Sequence, residues 1–231
     1  MERRRRTAPR PALLLACALA VPAVLLAGCS SGGGSDSDGA GSTDTAAGTP
    51  TTPTLAPAKY SALPSGCATV ARATITALVP KAKVPGGTAA ADDNGARGGC
   101  SWTGNGSDGY QYRWLSVTLQ RFSSTASASA DQQAKDRYTE QIALLRKAPG
   151  ATTSVVTGVG DQAGSVAAKA TVAKVTSQND TLVARTGNVV VIVEFNGAGL
   201  EGKKNPTATT VRDGAQRAAK DVVAAVVGAN S

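Results

Sequence analysis

The chain contains no histidine and, beyond its first residue, no methionine. Without histidine there is no Ser-His or Cys-His pair for nucleophilic catalysis, and the commonest ligand for zinc or copper is missing. Aromatic residues are also scarce: two Trp, four Tyr and two Phe in 231 residues. The core must therefore be built mainly from Val, Ala, Leu and Ile, each of which buries little area. Long apolar runs are absent except near the start, where Pro11–Gly28 is rich in Leu, Ala and Val.

That run reads as part of a targeting segment. Arg3, Arg4, Arg5, Arg6 and Arg10 form a basic head, and the run ends in Leu26-Ala27-Gly28-Cys29. The basic head stays on the cytoplasmic side while the apolar run enters the bilayer. Leu-Ala-Gly before a cysteine resembles a lipobox, so residues 1–28 are expected to be a lipoprotein signal peptide and Cys29 the lipidated residue. A transmembrane anchor fits less well, because Pro22 interrupts the run and no basic stop-transfer cluster follows. Two or three acyl chains hold a protein firmly at a membrane where one does not. The expected location is therefore the outer face of the cytoplasmic membrane.

Residues 29–57 follow as a spacer of Gly, Ser, Thr, Ala, Asp and Pro, with Leu55 its only large apolar residue. Such a composition cannot offset chain entropy by burial. From 58 to 231 the length suits one domain. That part keeps 19 basic and 12 acidic residues, a net +7 against +8 for the whole chain. The basic residues are scattered, which fits a solvated surface near an anionic envelope, and nucleic acid is not an expected partner.

The four cysteines divide by position. Cys17 belongs to the signal and Cys29 to the lipid, leaving Cys67 and Cys100 as a pair in an oxidising compartment. They are expected to form a disulfide. Two lone cysteines make no zinc site, and no cofactor is expected.

Periodicity predicts a helix from Cys67 to Val79, with Ala71, Ile75 and Leu78 on one face and Pro80 as the stop. Strands are predicted over Gly98–Thr103 and Tyr110–Phe122, with a bulge near Trp114. A helix is predicted over Asp131–Lys147, its stripe formed by Ala134, Tyr138, Ile142 and Leu145. A three-stranded meander follows, its strands Val166–Thr176, Leu182–Arg185 and Val189–Phe195, turning at Gln178-Asn179-Asp180 and at Gly187-Asn188. The stretch Val189–Val193 is apolar at every position, as in a strand covered on both faces. A last helix is expected over Thr209–Val227. The fold class is α+β: an antiparallel sheet with about three helices packed on it, in a single domain.

Several of these features occur in a set order. A cysteine opens the first helix, Cys100-Ser101-Trp102 lies about thirty residues on, and Leu115–Leu119 reads Leu-Ser-Val-Thr-Leu. Gly158-Val159-Gly160-Asp161-Gln162-Ala163, a hairpin with a Val-rich strand and a terminal helix follow. In that order the chain resembles the actinobacterial lipoproteins of the domain of unknown function 3558 family. It is more distantly similar to extracellular sensor domains of receptor kinases. The resemblance implies a fold and a location, and no reaction.

No local signature marks an enzyme. Gly158-x-Gly160-x-x-Ala163 with Asp180 matches a loose dinucleotide fingerprint, but no helix is expected after it. Asp92-Asp93 is an adjacent pair whose carboxylates point apart, and Asp161 and Glu194 are isolated acids. The aromatic group Trp102, Tyr110, Tyr112 and Trp114, with Arg97 and Arg113 near in sequence, admits two uses. It forms the main core, the preferred use, or it lines a groove that stacks on a ligand ring or a sugar face. The expected function is a non-catalytic domain binding an envelope component, a small molecule or a protein partner. The alternative is a sensory or accessory subunit of an envelope system.

Overall fold

The computed structural model describes residues 56–89, 92, 95–105 and 111–231. Cys29 and the signal segment, like Tyr110, lie outside the described residues. In chain order the elements are α1 (Arg72–Leu78), β1 (Gly87–Thr88), β2 (Arg97–Asn105), β3 (Gln111–Arg121), α2 (Ala130–Leu145), β4 (Thr152–Val156), β5 (Gln162–Val172), β6 (Val175–Thr186), β7 (Val189–Gly199) and α3 (Ala208–Gly228). All strand pairs are antiparallel, in one seven-stranded sheet of order β1-β2-β3-β7-β6-β5-β4. The fold is α+β, and the Val-rich β7 is its central strand.

Residues paired across strands share a face, and neighbours along a strand alternate. One face carries Trp102, Leu115, Val117, Leu119, Leu182, Val191, Val193 and Phe195, packed against Val211, Ala215, Ala218, Val222 and Val226 of α3. We call it the α3 face. The opposite, α2 face carries Val166, Val183, Val190 and Ile192 against Ala134, Tyr138, Ile142 and Leu145 of α2. Small residues let these layers approach closely. A Cβ on Gly214 would sit 2.6 Å from the Phe195 ring, so the helix can lie on the central strand only because that position has no side chain.

Several local expectations change. Cys67 lies in a 3-10 turn, Gly66–Ala68, and the α-helix starts only at Arg72, because Ala71 takes an extended ψ of 138°. No bulge occurs near Trp114: the registers of β3 with β2 and with β7 run unbroken. Simple alternation already puts Tyr112 and Trp114 on one face and Leu115, Val117 and Leu119 on the other. The turn expected at 178–180 is instead at Ala173-Lys174, both in the left-handed region (φ 48° and 67°), and Gln178–Asp180 runs inside β6. That turn carries neither Gly nor Asn, so composition did not mark it. Strand β4 was not anticipated; it is an edge strand with only Val156 buried. Gly187 adopts φ 50° in the β6–β7 hairpin, whereas Asn188 does not take a positive φ. Asn188 acts as a clamp: its Oδ1 accepts from the Tyr60 N–H at 2.8 Å, and its Nδ2 donates to the Tyr60 and Phe122 carbonyls at 2.9 and 2.7 Å.

Candidate functional site

The five groove candidates among the described residues, Trp102, Tyr112, Trp114, Arg97 and Arg113, do not converge. Trp102 is 1% exposed on the α3 face, and its Nε1 donates to the Pro85 carbonyl at 2.6 Å. Arg113 lies on that same face, folded over Gly197, its guanidinium donating to the Tyr112 carbonyl and to the Gln111 side chain. Tyr112 and Trp114 are half-buried on the opposite, α2 face. Arg97 shares that face but pairs with Gln120, roughly 20 Å along the strand from the level of Trp114 at 3.3 Å per residue. The cause is the two-residue period: Trp102 and Trp114 sit on adjacent strands, but the register pairs Trp102 with Leu115, and Trp114 with Thr103.

Among the described residues, what remains around Trp114 is an open half-face. Helix α2 covers the β5–β6–β7 side, where Val166, Val183, Val190 and Ile192 lie. Across β2 and β3 the same face is polar: Ser101, Thr103 and Asn105 stand beside Ser116, Trp114 and Tyr112 respectively. The strip continues onto β7 and β6, where Trp114 pairs with Asn196 and Asn196 with Asn179. One row away Glu194 accepts a hydrogen bond from Ser116 Oγ at 3.1 Å. Two rings about 7 Å apart along one strand are thus set among amides and hydroxyls that both donate and accept. At the Arg97 end the strip opens into a groove of about 600 Å³ beside α2, lined by Arg97, Gln120, Arg137 and Glu140. Sequence reasoning missed Asn105, Ser116 and Asn196, read Glu194 only as an isolated acid and placed Asn179 in a turn. Alternation about Leu115 and Val193 was the signal that could have grouped them.

The remaining candidates serve the fold. Gly158 and Gly160 take φ 72° and 61° in a turn that runs directly into β5, and no helix follows. Asp161 ties that turn to the β6–β7 hairpin by accepting from the Gly187 N–H at 2.7 Å. Asp92 Oδ1 accepts from the N–H groups of Ala96 and Arg97 at 2.7 and 2.9 Å, while Asp93 lies outside the described residues. Arg185, 8% exposed, donates to Asp131 at 2.7 Å and to the Gly187 carbonyl at 2.9 Å, joining the start of α2 to the hairpin. The hydrogen bond from Lys135, with help from Arg185, holds the Asp131 carboxyl below the usual range. Among the described residues no three His, Cys, Asp or Glu side chains group as a metal site would need, and no helix is long and apolar enough to cross a membrane.

Asp180 is not in a turn but 1% exposed beneath α3, with Ser165 Oγ at 2.8 and 2.7 Å from its two oxygens. Burial pushes its carboxyl up, against the lowering effects of the Ser165 hydrogen bond and Arg212, with Asp213 adding to the rise. A raised acid stabilises the fold fully below its unfolded value near 3.8 and loses that contribution as pH rises through the folded value. Asp180→Asn is therefore expected to flatten that acid-side part of the stability profile. Denaturant midpoints measured from pH 3 to pH 7 that fall alike in both proteins would contradict this.

No protein-family model and no curated protein sequence matches the chain. Two solved structures from Mycobacterium tuberculosis are similar in part. One is LpqN, involved in cell envelope biogenesis, at 16% identity over 53% of this chain and 68% of that one, with a TM-score of 0.30. The other is the extracellular domain of PknH, at 17% identity over 75% and 84%, also with a TM-score of 0.30. At that level neither likeness carries a functional inference.

Proposed function

We propose that this chain is an extracytoplasmic, lipid-anchored binding domain whose working surface is the open half of the α2 face, and that it holds a neutral polyhydroxylated ligand such as a glycan. One observation carries the reading: Trp114 and Tyr112 stand on a polar side of the sheet that no described residue covers, in a protein short of large side chains for its core. An aromatic ring stacks on the C–H face of a sugar, and the surrounding amides and hydroxyls match hydroxyl groups in both senses. The strip has few charges, Arg97 at one end and Glu194 near the middle, so it offers no counter-charge pattern for a strongly ionic ligand. The anchor rests on Leu26-Ala27-Gly28-Cys29, and the assignment to the domain of unknown function 3558 family rests on motif order alone.

The chain's two tryptophans make the binding test direct. In Trp102→Phe the only indole is Trp114, so titration with hexose, pentose and N-acetylhexosamine oligosaccharides should change its fluorescence saturably. Trp114→Ala and Tyr112→Ala should abolish binding measured calorimetrically while the proteins stay folded. If none of these oligosaccharides binds, or if both variants bind as wild type does, the surface assignment is wrong. For the anchor, mass spectrometry of the native protein should find an acylated N-terminus at Cys29, and Cys29→Ser should accumulate as unprocessed precursor. An unmodified N-terminus at another residue would overturn the lipobox.

A further inference from the structure

Helix α3 begins beside a crevice of about 430 Å³ whose lining includes Thr152, Ala167, Lys169, Gln178 and Ala208. Lys169 and Gln178 are direct cross-strand partners, and Thr152 pairs with Ala167. Gln178 is on the α3 side of the sheet, the side opposite Trp114. Its features are unusual for an amide. It is 8% exposed, it lines the crevice, and its side chain makes no hydrogen bond among the described residues. Its amide therefore faces the crevice with donor and acceptor both free, so a ligand there can take up both.

The helix adds donors at the same place. The Thr207 side chain caps the N–H of Thr210 at 3.0 Å, leaving the N–H groups of Ala208 and Thr209 without partners inside the helix. In a helix of 21 residues these donors stand at the positive end of the macrodipole. Charges of both signs lie around the crevice. Lys169 is exposed at its wall, and Lys174 sits in the β5–β6 turn about 16 Å further along the strand. The segment carrying Lys203 and Lys204 is drawn against the sheet by Asn205, which donates to the Thr176 carbonyl and accepts from the Gly199 N–H, both at 2.7 Å. Facing them are Glu201 in that segment, Asp213 on α3 and Asp180, which is held by Ser165.

We propose that this crevice binds a small anionic ligand through a phosphate or carboxylate group. The Gln178 amide and the N–H groups of Ala208 and Thr209 donate to its oxygens, and Lys169 supplies the charge. The volume lies in the range of small-molecule sites, so the ligand is a metabolite-sized anion and not a polymer. The site is independent of the glycan surface, and either reading stands if the other fails.

The test uses the full lipoprotein in detergent, ¹⁵N-labelled, titrated at constant ionic strength with inorganic phosphate and separately with acetate. At least one of them should shift the Ala208 and Thr209 amides and the Gln178 side-chain NH₂ signals saturably, with Kd on the order of millimolar for so small a probe. A response to phosphate alone assigns a phosphate ligand, and a response to acetate alone a carboxylate. Lys169→Glu, at an exposed position that does not endanger folding, should weaken binding about tenfold or more, and Gln178→Glu should abolish it. The proposal fails if neither anion gives a saturable shift, or if Lys169→Glu binds as tightly as wild type.

Discussion

Trp102→Ala is expected to destabilise the protein by about 3–5 kcal/mol, the largest loss for any single side chain here. Trp102 is 1% exposed, so the substitution leaves a cavity in a core otherwise made of Val, Ala and Leu. It also leaves the Pro85 carbonyl without the indole N–H now 2.6 Å away. Relaxation into that cavity is limited, because the turn over the ring is already tight. A Cβ on Gly86, which has φ 110°, would stand 2.5 Å from the indole nitrogen. Trp102→Phe should cost less, since it retains most of the buried area. The same change at the other tryptophan, Trp114→Ala, should cost no more than about 1–2 kcal/mol, because that side chain is only half-buried on the open face. Denaturant unfolding of the three variants measures the contrast. Equal losses at the two tryptophans would mean that Trp114 belongs to the core, and the proposed binding surface would be lost with it.

Reduction of the disulfide, or Cys67→Ala, should cost about 2–5 kcal/mol. Cys67 and Cys100 are joined across 33 positions. The closed loop holds α1, β1 and the 84–86 turn that covers Trp102, and through Val70, Ile75 and Val79 it supplies part of the core. The 3-10 turn carrying Cys67 rides directly on β2, where a Cβ on Gly66 would meet the Gly99 carbonyl oxygen at 2.4 Å. Without the bond only packing would keep that close approach. Because the bridge and Trp102 secure the same loop, their losses should not add: Cys67→Ala combined with Trp102→Ala should cost less than the two single changes together. Equal unfolding midpoints with and without reductant, or two free thiols in non-reducing peptide maps, would show that the bond contributes nothing.

Part of this protein was legible in its residues because the signals were local. The 3.6-residue period of α3 needs no neighbours to be read, and Val211, Ala215, Ala218, Val222 and Val226 are all fully buried as expected. The all-apolar Val189–Val193 announced a covered strand, and β7 is the centre of the sheet, although Ile192 is only partly buried against α2. The pairing of Cys67 with Cys100 followed from counting. Turns without Gly or Asn, such as Ala173-Lys174, and the edge strand β4 gave no comparable signal.

The candidate sites depended on register and on which strands α2 happens to cover, and neither is a local property. A shift of one residue between β2 and β3 would bring Trp102 and Trp114 onto the same face. Composition therefore pointed to an aromatic group but could not divide it into a core indole and a surface one. Gln178 and Asp180 were placed in a turn from their residue types, whereas the long β5–β6 pairing carries both into the sheet and under the start of α3. The sequence by itself determined α3, the pairing of Cys67 with Cys100 and the central strand, because each follows from a local pattern or from a count of residues. Only the tertiary structure decided which side chains share a surface, because long-range antiparallel pairing sets both the register and the face that each residue shows.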